Sequence, residues 1–266
     1  MLAFIGLFIG AFGTLIGVAG GFLLVPILLF LYPDETPSTI TSITLTVAFF
    51  NALSGSIAYG RLKRIDYRSG LPFALTAIPG AIIGAFIVNY LSRGIFQYIF
   101  GAVLLVISAY LLARPDKKIT WSFLLKWQTQ RRITDAQQHV HSYSFNLPLG
   151  MTIAFFVGII SSLLGIGGGI IHVPALTQVL GFPAHIATAT SHFMVAITTF
   201  TAIGTHLVSG TYATTEIGRV AVLSAGAIIG AQFGARLSQR VTGKLIVRLL
   251  AVGLAIVALR LLIAPL

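Results

Sequence analysis

Eight long, nearly uncharged apolar runs constrain this chain more than any other feature. They cover residues 2–31, 39–60, 70–91, 95–113, 148–180, 185–209, 217–235 and 245–264. The runs are continuous rather than alternating in polarity, so helices are expected, not the strands of a membrane barrel. A helical span takes about 20 apolar residues. A soluble domain carries roughly a quarter charged residues to wet its surface. This chain of 266 residues is 9% charged and 56% hydrophobic, and has no cysteine. The balance excludes an ordinary soluble enzyme, a disordered chain and a disulfide-stapled secreted domain. An all-α polytopic membrane protein remains. Met1 runs straight into apolar residues with no basic start, so no cleavable signal peptide is expected.

Lys and Arg number 17 against 6 Asp and Glu, a net charge of +11. Nucleic acid as a partner is set aside, because cationic loops on the cytoplasmic face of a membrane explain the excess. One long polar segment, 114–147, separates a first repeat (1–113) from a second (148–266). It carries Arg114, Lys117, Lys118, Lys126, Arg131 and Arg132 among Trp121, Phe123, Leu124, Leu125 and Trp127. Two readings stand side by side: a cytoplasmic amphipathic segment lying on the bilayer surface, or a solvated linker.

The halves repeat one another. Residues 15–28 align with 163–176 at an offset of 148, with seven of fourteen positions identical. The hexapeptide Gly80–Ala85 recurs unchanged as Gly226–Ala231, at an offset of 146. Each half therefore has four hydrophobic segments. Loop charge gives their relative orientation. The loop after the second segment carries Arg61, Lys63, Arg64 and Arg68, whereas its counterpart, 209–216, has Glu216 and no Lys or Arg. After the third segment the bias swaps: Arg93 alone, against Arg236, Arg240 and Lys244. The halves are expected to be inverted.

Inversion requires an odd number of net crossings per half. The first segment of each half is long, roughly 45 Å as continuous helix against a core of about 30 Å. It also contains Gly17, Gly20 and Gly21, or Gly165, Gly167, Gly168 and Gly169, followed by Pro26 or Pro174. These sequences predict Gly-broken first helices that turn back. The loops at 61–68, 114–147 and 236–244 then fall in the cytoplasm, with both termini outside.

Broken helices in inverted repeats mark transporter substrate sites near the bilayer midplane. Exposed N–H groups at a helix start favour an anion, and glycine permits close approach. Gly80, Gly84, Gly226 and Gly230 have small-xxx-small spacing and read as packing positions. All six acids lie in loops or at span ends, which argues against a cation substrate. The second and sixth segments are instead rich in neutral hydrogen-bonders. Thr44 and Asn51 in the second, and Thr190, Ser191, His192 and Thr198 in the sixth, are candidate oxyanion donors with His172 and the glycine breaks. A single buried Ser or Thr usually bonds its own helix; the cluster is what carries the argument.

Other readings stay open. His172, His185, His192 and His206 suggest a metal-ion transporter, but cysteines, acids and an i,i+4 histidine pair are missing, so no metal site is assigned. His139 and His141 are expected to be solvated. Ser54, followed by a glycine, suggests an intramembrane hydrolase, yet no base is evident. An anion channel is not separated from a carrier. No cofactor is expected. The partners are a small anion and the lipid bilayer, with a homo-oligomer left open.

The paired Gly-rich motifs with Val-Pro at 15–28 and 163–176, and the Thr/Ser-rich segments from Thr41 and Thr188, resemble the TauE/SafE sulfite exporter family. The resemblance implies an export carrier for sulfite, sulfoacetate or a related organosulfonate in a bacterial inner membrane. The doubled pattern is uneven: Ala19 faces Gly167, Ile43-Thr44 faces Thr190-Ser191, and Asn51 faces Thr198.

Overall fold

The computed structural model describes residues 1–113, 127–210, 216–238, 240–241 and 243–263. The eight expected segments appear among them, with the first and fifth each split in two. The first half comprises α1 (Leu2–Ile16), α2 (Gly21–Leu31), α3 (Pro37–Arg61), α4 (Tyr67–Ile87) and α5 (Arg93–Ala113). The second comprises α6 (Leu147–Leu164), α7 (Gly169–Pro174) with a π-helical turn over Ala175–Val179, α8 (Ala184–Val208), α9 (Glu216–Leu237) and α10 (Gly243–Ile263). Among the described residues, six helices are long and apolar enough to cross a membrane. The outer surface is correspondingly apolar: Phe4, Val106 and Phe200 are 78%, 68% and 65% exposed. Water would not tolerate such a surface, whereas lipid matches it.

The breaks fall on the glycine clusters, not on the prolines. Gly17 caps α1 with φ +92°, and Gly165 caps α6 with φ +70°. Such left-handed ends favour glycine. Pro26 instead sits inside α2, and Pro174 ends α7 before the π turn. The α2 helix returns along α1, since Met1 and Ile5 line one groove with Phe30 and Leu31. At about 1.5 Å per residue, neither helix is long enough to cross a core of about 30 Å.

Cross-helix contacts give the directions. Phe49 stacks near Phe200 and Tyr59 near His192, so α3 and α8 run antiparallel. Gly101 meets Leu262, and Ser108 Oγ donates to the Ala251 carbonyl (2.9 Å), so α5 and α10 are antiparallel too. Both pairs occupy equivalent places in the two halves.

Across the halves, first helices pack on third-segment helices. Gly6 and Gly10 of α1 abut the Leu223 and Ala227 backbone of α9, while Gly226 and Gly230 abut Ala3 and Leu7. The other seam repeats this: Gly80 and Gly84 of α4 abut Phe155 and Ile159 of α6, and Gly158 abuts Ala77. Any β-carbon there would collide with backbone, so these glycines serve close helix packing.

From residue 127 on, the linker forms structure that neither sequence reading contained. Residues 114–126, including Trp121–Leu125, lie outside the described residues. Beyond them β1 (Gln128–Thr134) and β2 (Val140–Asn146) form an antiparallel hairpin, so the fold is helical with one small sheet. Asp135 closes the turn, its Oδ1 accepting from the Gln137 and His139 N–H groups (2.9 Å each). The hairpin docks on the α3–α4 loop. Ala136 N–H donates to the Leu62 carbonyl (3.0 Å). Tyr143 hydroxyl donates to Asp66 Oδ2 (2.8 Å), and Arg131 lies 3.8 Å from the same oxygen. Tyr143 and Phe145 pack on Phe182, and Phe145 on Phe73. Burial, reinforced by the Asp66 carboxylate, holds the Tyr143 phenol above its usual range. His139 is exposed as expected. His141 is not: its side chain is 20% exposed and turned toward Asp135, because docking carries β2 against the helices.

Candidate functional site

The two glycine breaks meet near the middle of the bundle. A side chain at Gly169 would strike the Gly17 carbonyl at 2.5 Å, and one at Gly21 the Ile166 carbonyl at 2.7 Å. The α3 and α8 helices flank the tips in matching fashion. Gly165 lies against Thr41 and Thr44, and Gly17 lies against Thr188. Gly167 faces Ala48, Val195 and Thr199.

Around the first tip the polar groups form one buried network. Thr14 Oγ1 donates to Asn51 Oδ1 (2.6 Å) and lies 3.2 Å from His192 Nε2. Asn51 Nδ2 donates to the Ala19 carbonyl (3.1 Å), and Tyr59 hydroxyl to the Thr14 carbonyl (2.7 Å). Ser191 Oγ donates to the Gly17 carbonyl (3.1 Å). Ala19 has φ +56°, a conformation that strains a residue with a β-carbon. Its bond from Asn51 helps hold it there. In the second half the same place is Gly167, which needs no such support. Thr198, facing Asn51 in the repeat, bonds the Met194 and Val195 carbonyls of its own helix.

The second tip is less satisfied. His172 is 2% exposed, and both its ring nitrogens are without a hydrogen-bond partner. It lies beside Gly168, with Ser161 Oγ on the same side. Thr188 Oγ1 is likewise buried without a partner.

Most sequence-derived candidates therefore converge. Gly17, Gly21, Gly165, Gly167, Gly168 and Gly169 form the tips; Thr44, Asn51, Ser191 and His192 line them; His172 lies behind the second. Gly20 caps α2 and faces Ile9 of its own hairpin. Thr190 is turned away: its hydroxyl accepts from the Asp66 N–H (3.0 Å) at the α3–α4 loop. One residue is about 100° around a helix, so Thr190 cannot share the face of Ser191. Thr14, Ser161 and Thr188 complete the cluster. Ser54, considered as a nucleophile, donates to the Ile228 carbonyl and accepts from Gln232 Nε2 (2.8 Å each), joining α3 to α9.

The assembled groups are hydroxyls, amides, imidazoles and backbone N–H groups, with the start of α2 directed at the tips. That set can donate to a small oxyanion without a neutralising cation.

Residues 2–261 match the protein family described as Sulfite exporter TauE/SafE. The chain is 33% identical to the probable membrane transporter protein YunE of Bacillus subtilis, over 98% of this chain and 96% of that one. It is 25% identical to a probable membrane transporter protein of Methanocaldococcus jannaschii, over 92% and 88%. A probable membrane transporter protein from Sinorhizobium is 26% identical, over 98% and 92%. No solved structure matches.

Proposed function

Because the chain belongs to the TauE/SafE sulfite exporter family and is a multi-pass membrane transporter, we propose that it is a secondary carrier exporting a small sulfur-containing anion. Sulfite, sulfoacetate or a related organosulfonate fits the neutral donor set. It works by alternating access in a protein of two inverted repeats, in a bacterial inner membrane. The loops at 61–68, 114–147 and 236–244 are cytoplasmic. The antiparallel course of α3 against α8 and of α5 against α10 supports inversion.

One observation carries the reading: two glycine-broken helices meet tip to tip inside a polar cluster. Transporters place their substrate at such a junction. The glycine seams refine how the bodies move. They bind α1 to α9 and α4 to α6, so each moving body contains helices from both repeats. We assign α1, α3 and α9 to one body and α4, α6 and α8 to the other. The bonds from Ser191 to Gly17 and between His192 and Thr14 cross between them. An oxyanion entering there competes for those donors, and so couples occupancy to opening.

The test is counterflow in proteoliposomes with sulfite, sulfoacetate, sulfate and chloride. Saturable sulfite or sulfoacetate exchange is expected, weakened by Asn51→Ala and by Ser191→Ala. Flux indifferent to both substitutions removes the site.

A further inference from the structure

Arg64 follows α3 in the loop that the hairpin covers, and its side chain is 5% exposed. Only one of its nitrogens is engaged. Nη2 donates to Gln137 Oε1 (3.2 Å) and lies 3.5 Å from Asp135 Oδ2. Nε and Nη1 are buried without a hydrogen-bond partner. His139 Nδ1 and His141 Nε2 each stand 3.6 Å from that same Asp135 oxygen, and His141 Nε2 is also unpartnered. His185, in the first turn of α8, lies within electrostatic range of Arg64, His141 and Asp135. One carboxylate oxygen thus sits among three nitrogen groups, none closer than 3.5 Å. Those separations exceed good hydrogen-bond length. Buried donors left unfilled are costly. A cradle that one carboxylate fills only in part suits a group with more oxygens.

We propose that Arg64 forms a docking site for a small oxyanion at this end of the bundle, which Asp135 occupies as a tethered stand-in that latches the hairpin. The inference rests on the anion-carrier reading. An arriving oxyanion takes Arg64 from Asp135. The turn keeps its Leu62 contact and the strands keep theirs to Asp66, Phe73 and Phe182, so the turn end of the hairpin loosens. The hairpin would report anion at this end of the bundle and uncover Arg64.

The test is trypsin cleavage after Arg131 and Arg132 of the full chain in phosphatidylcholine nanodiscs. Sulfite or sulfate is compared with chloride at equal ionic strength. Sulfite is expected to speed cleavage about fivefold, the scale of one lost ion pair. Arg64→Lys keeps part of the response, and Arg64→Gln loses it. Asp135→Asn is cut fast with or without sulfite. Equal wild-type rates in sulfite and chloride overturn the proposal, as does a full response in Arg64→Gln. Faster cleavage in phosphatidylglycerol nanodiscs without sulfite supports the site with a lipid phosphate as its oxyanion. Counterflow separates the two readings: transport with an unmoved hairpin leaves the carrier and removes the latch, while release without transport does the reverse.

Discussion

Thr14 donates its hydroxyl hydrogen to Asn51 across 2.6 Å, joining the end of α1 to the middle of α3. With His192 Nε2 at 3.2 Å on the other side, this hydroxyl is shared by three helices. Thr14→Val keeps the shape and removes the bond. It leaves Asn51 Oδ1 buried and unpaired, at a cost of about 1–3 kcal/mol. Thr14→Ser retains most of the stability. Thermal unfolding in detergent reads both. Paired with Asn51→Ala, Thr14→Val is expected to be clearly non-additive, because both substitutions break one bond.

The glycine seams predict a sharp contrast between positions. Gly230→Ala drives a β-carbon into the Leu7 carbonyl oxygen, and Gly84→Ala into that of Ile159. Each is expected to lose on the order of 1–3 kcal/mol or to fail to accumulate folded. Among the described residues, Gly94 and Gly218 have nothing within 4 Å of that position. Gly94→Ala and Gly218→Ala should be neutral or mildly stabilising, by roughly 0.4–1 kcal/mol, since alanine restricts the unfolded chain. Melting temperatures of the four variants settle the comparison.

Inversion is checked with single cysteines, which a chain without native cysteine makes straightforward. Lys63→Cys and Ser209→Cys are expected to label from opposite faces of oriented vesicles with an impermeant maleimide. Labelling from one face would mean parallel repeats.

The hairpin should loosen in acid. Burial pushes the Asp135 carboxyl upward, but the His139 and Gln137 N–H bonds and the Arg64 charge outweigh it, leaving the group below its usual range. It faces Arg64 from the α3–α4 loop and His139 and His141 from the hairpin, with His185 of α8 in electrostatic range. A lowered folded value stabilises docking at pH above the unfolded value, about 3.9. That contribution disappears as pH falls through the folded value. Protease protection of the hairpin should hold at neutral pH and fade below about pH 4. In Asp135→Asn this step should vanish.

How far the sequence predicts this arrangement depends on the kind of signal. Span positions and helix breaks were readable because long apolar runs and glycine clusters act locally. Asn51, Ser191 and His192 stood out as polar groups in apolar surroundings. Thr14 did not, since one threonine in an apolar helix usually bonds its own backbone. Thr190 looked equivalent to Ser191 because spacing alone does not say which way a buried face turns. The hairpin was missed for another reason. Its strands are short and polar, and its order depends on docking against Asp66, Phe73 and Phe182, contacts that no local pattern announces.

The seam between α1 and α9 also bears on biogenesis. Gly10 leaves the ribosome well before its partner Ala227 in α9. Until then α1 presents to lipid a face shaped for another helix. The nascent chain must therefore be held by the insertion machinery, or by lipid, until α9 has been made. Neither half is expected to mature alone, whereas two separately translated halves should assemble when made together.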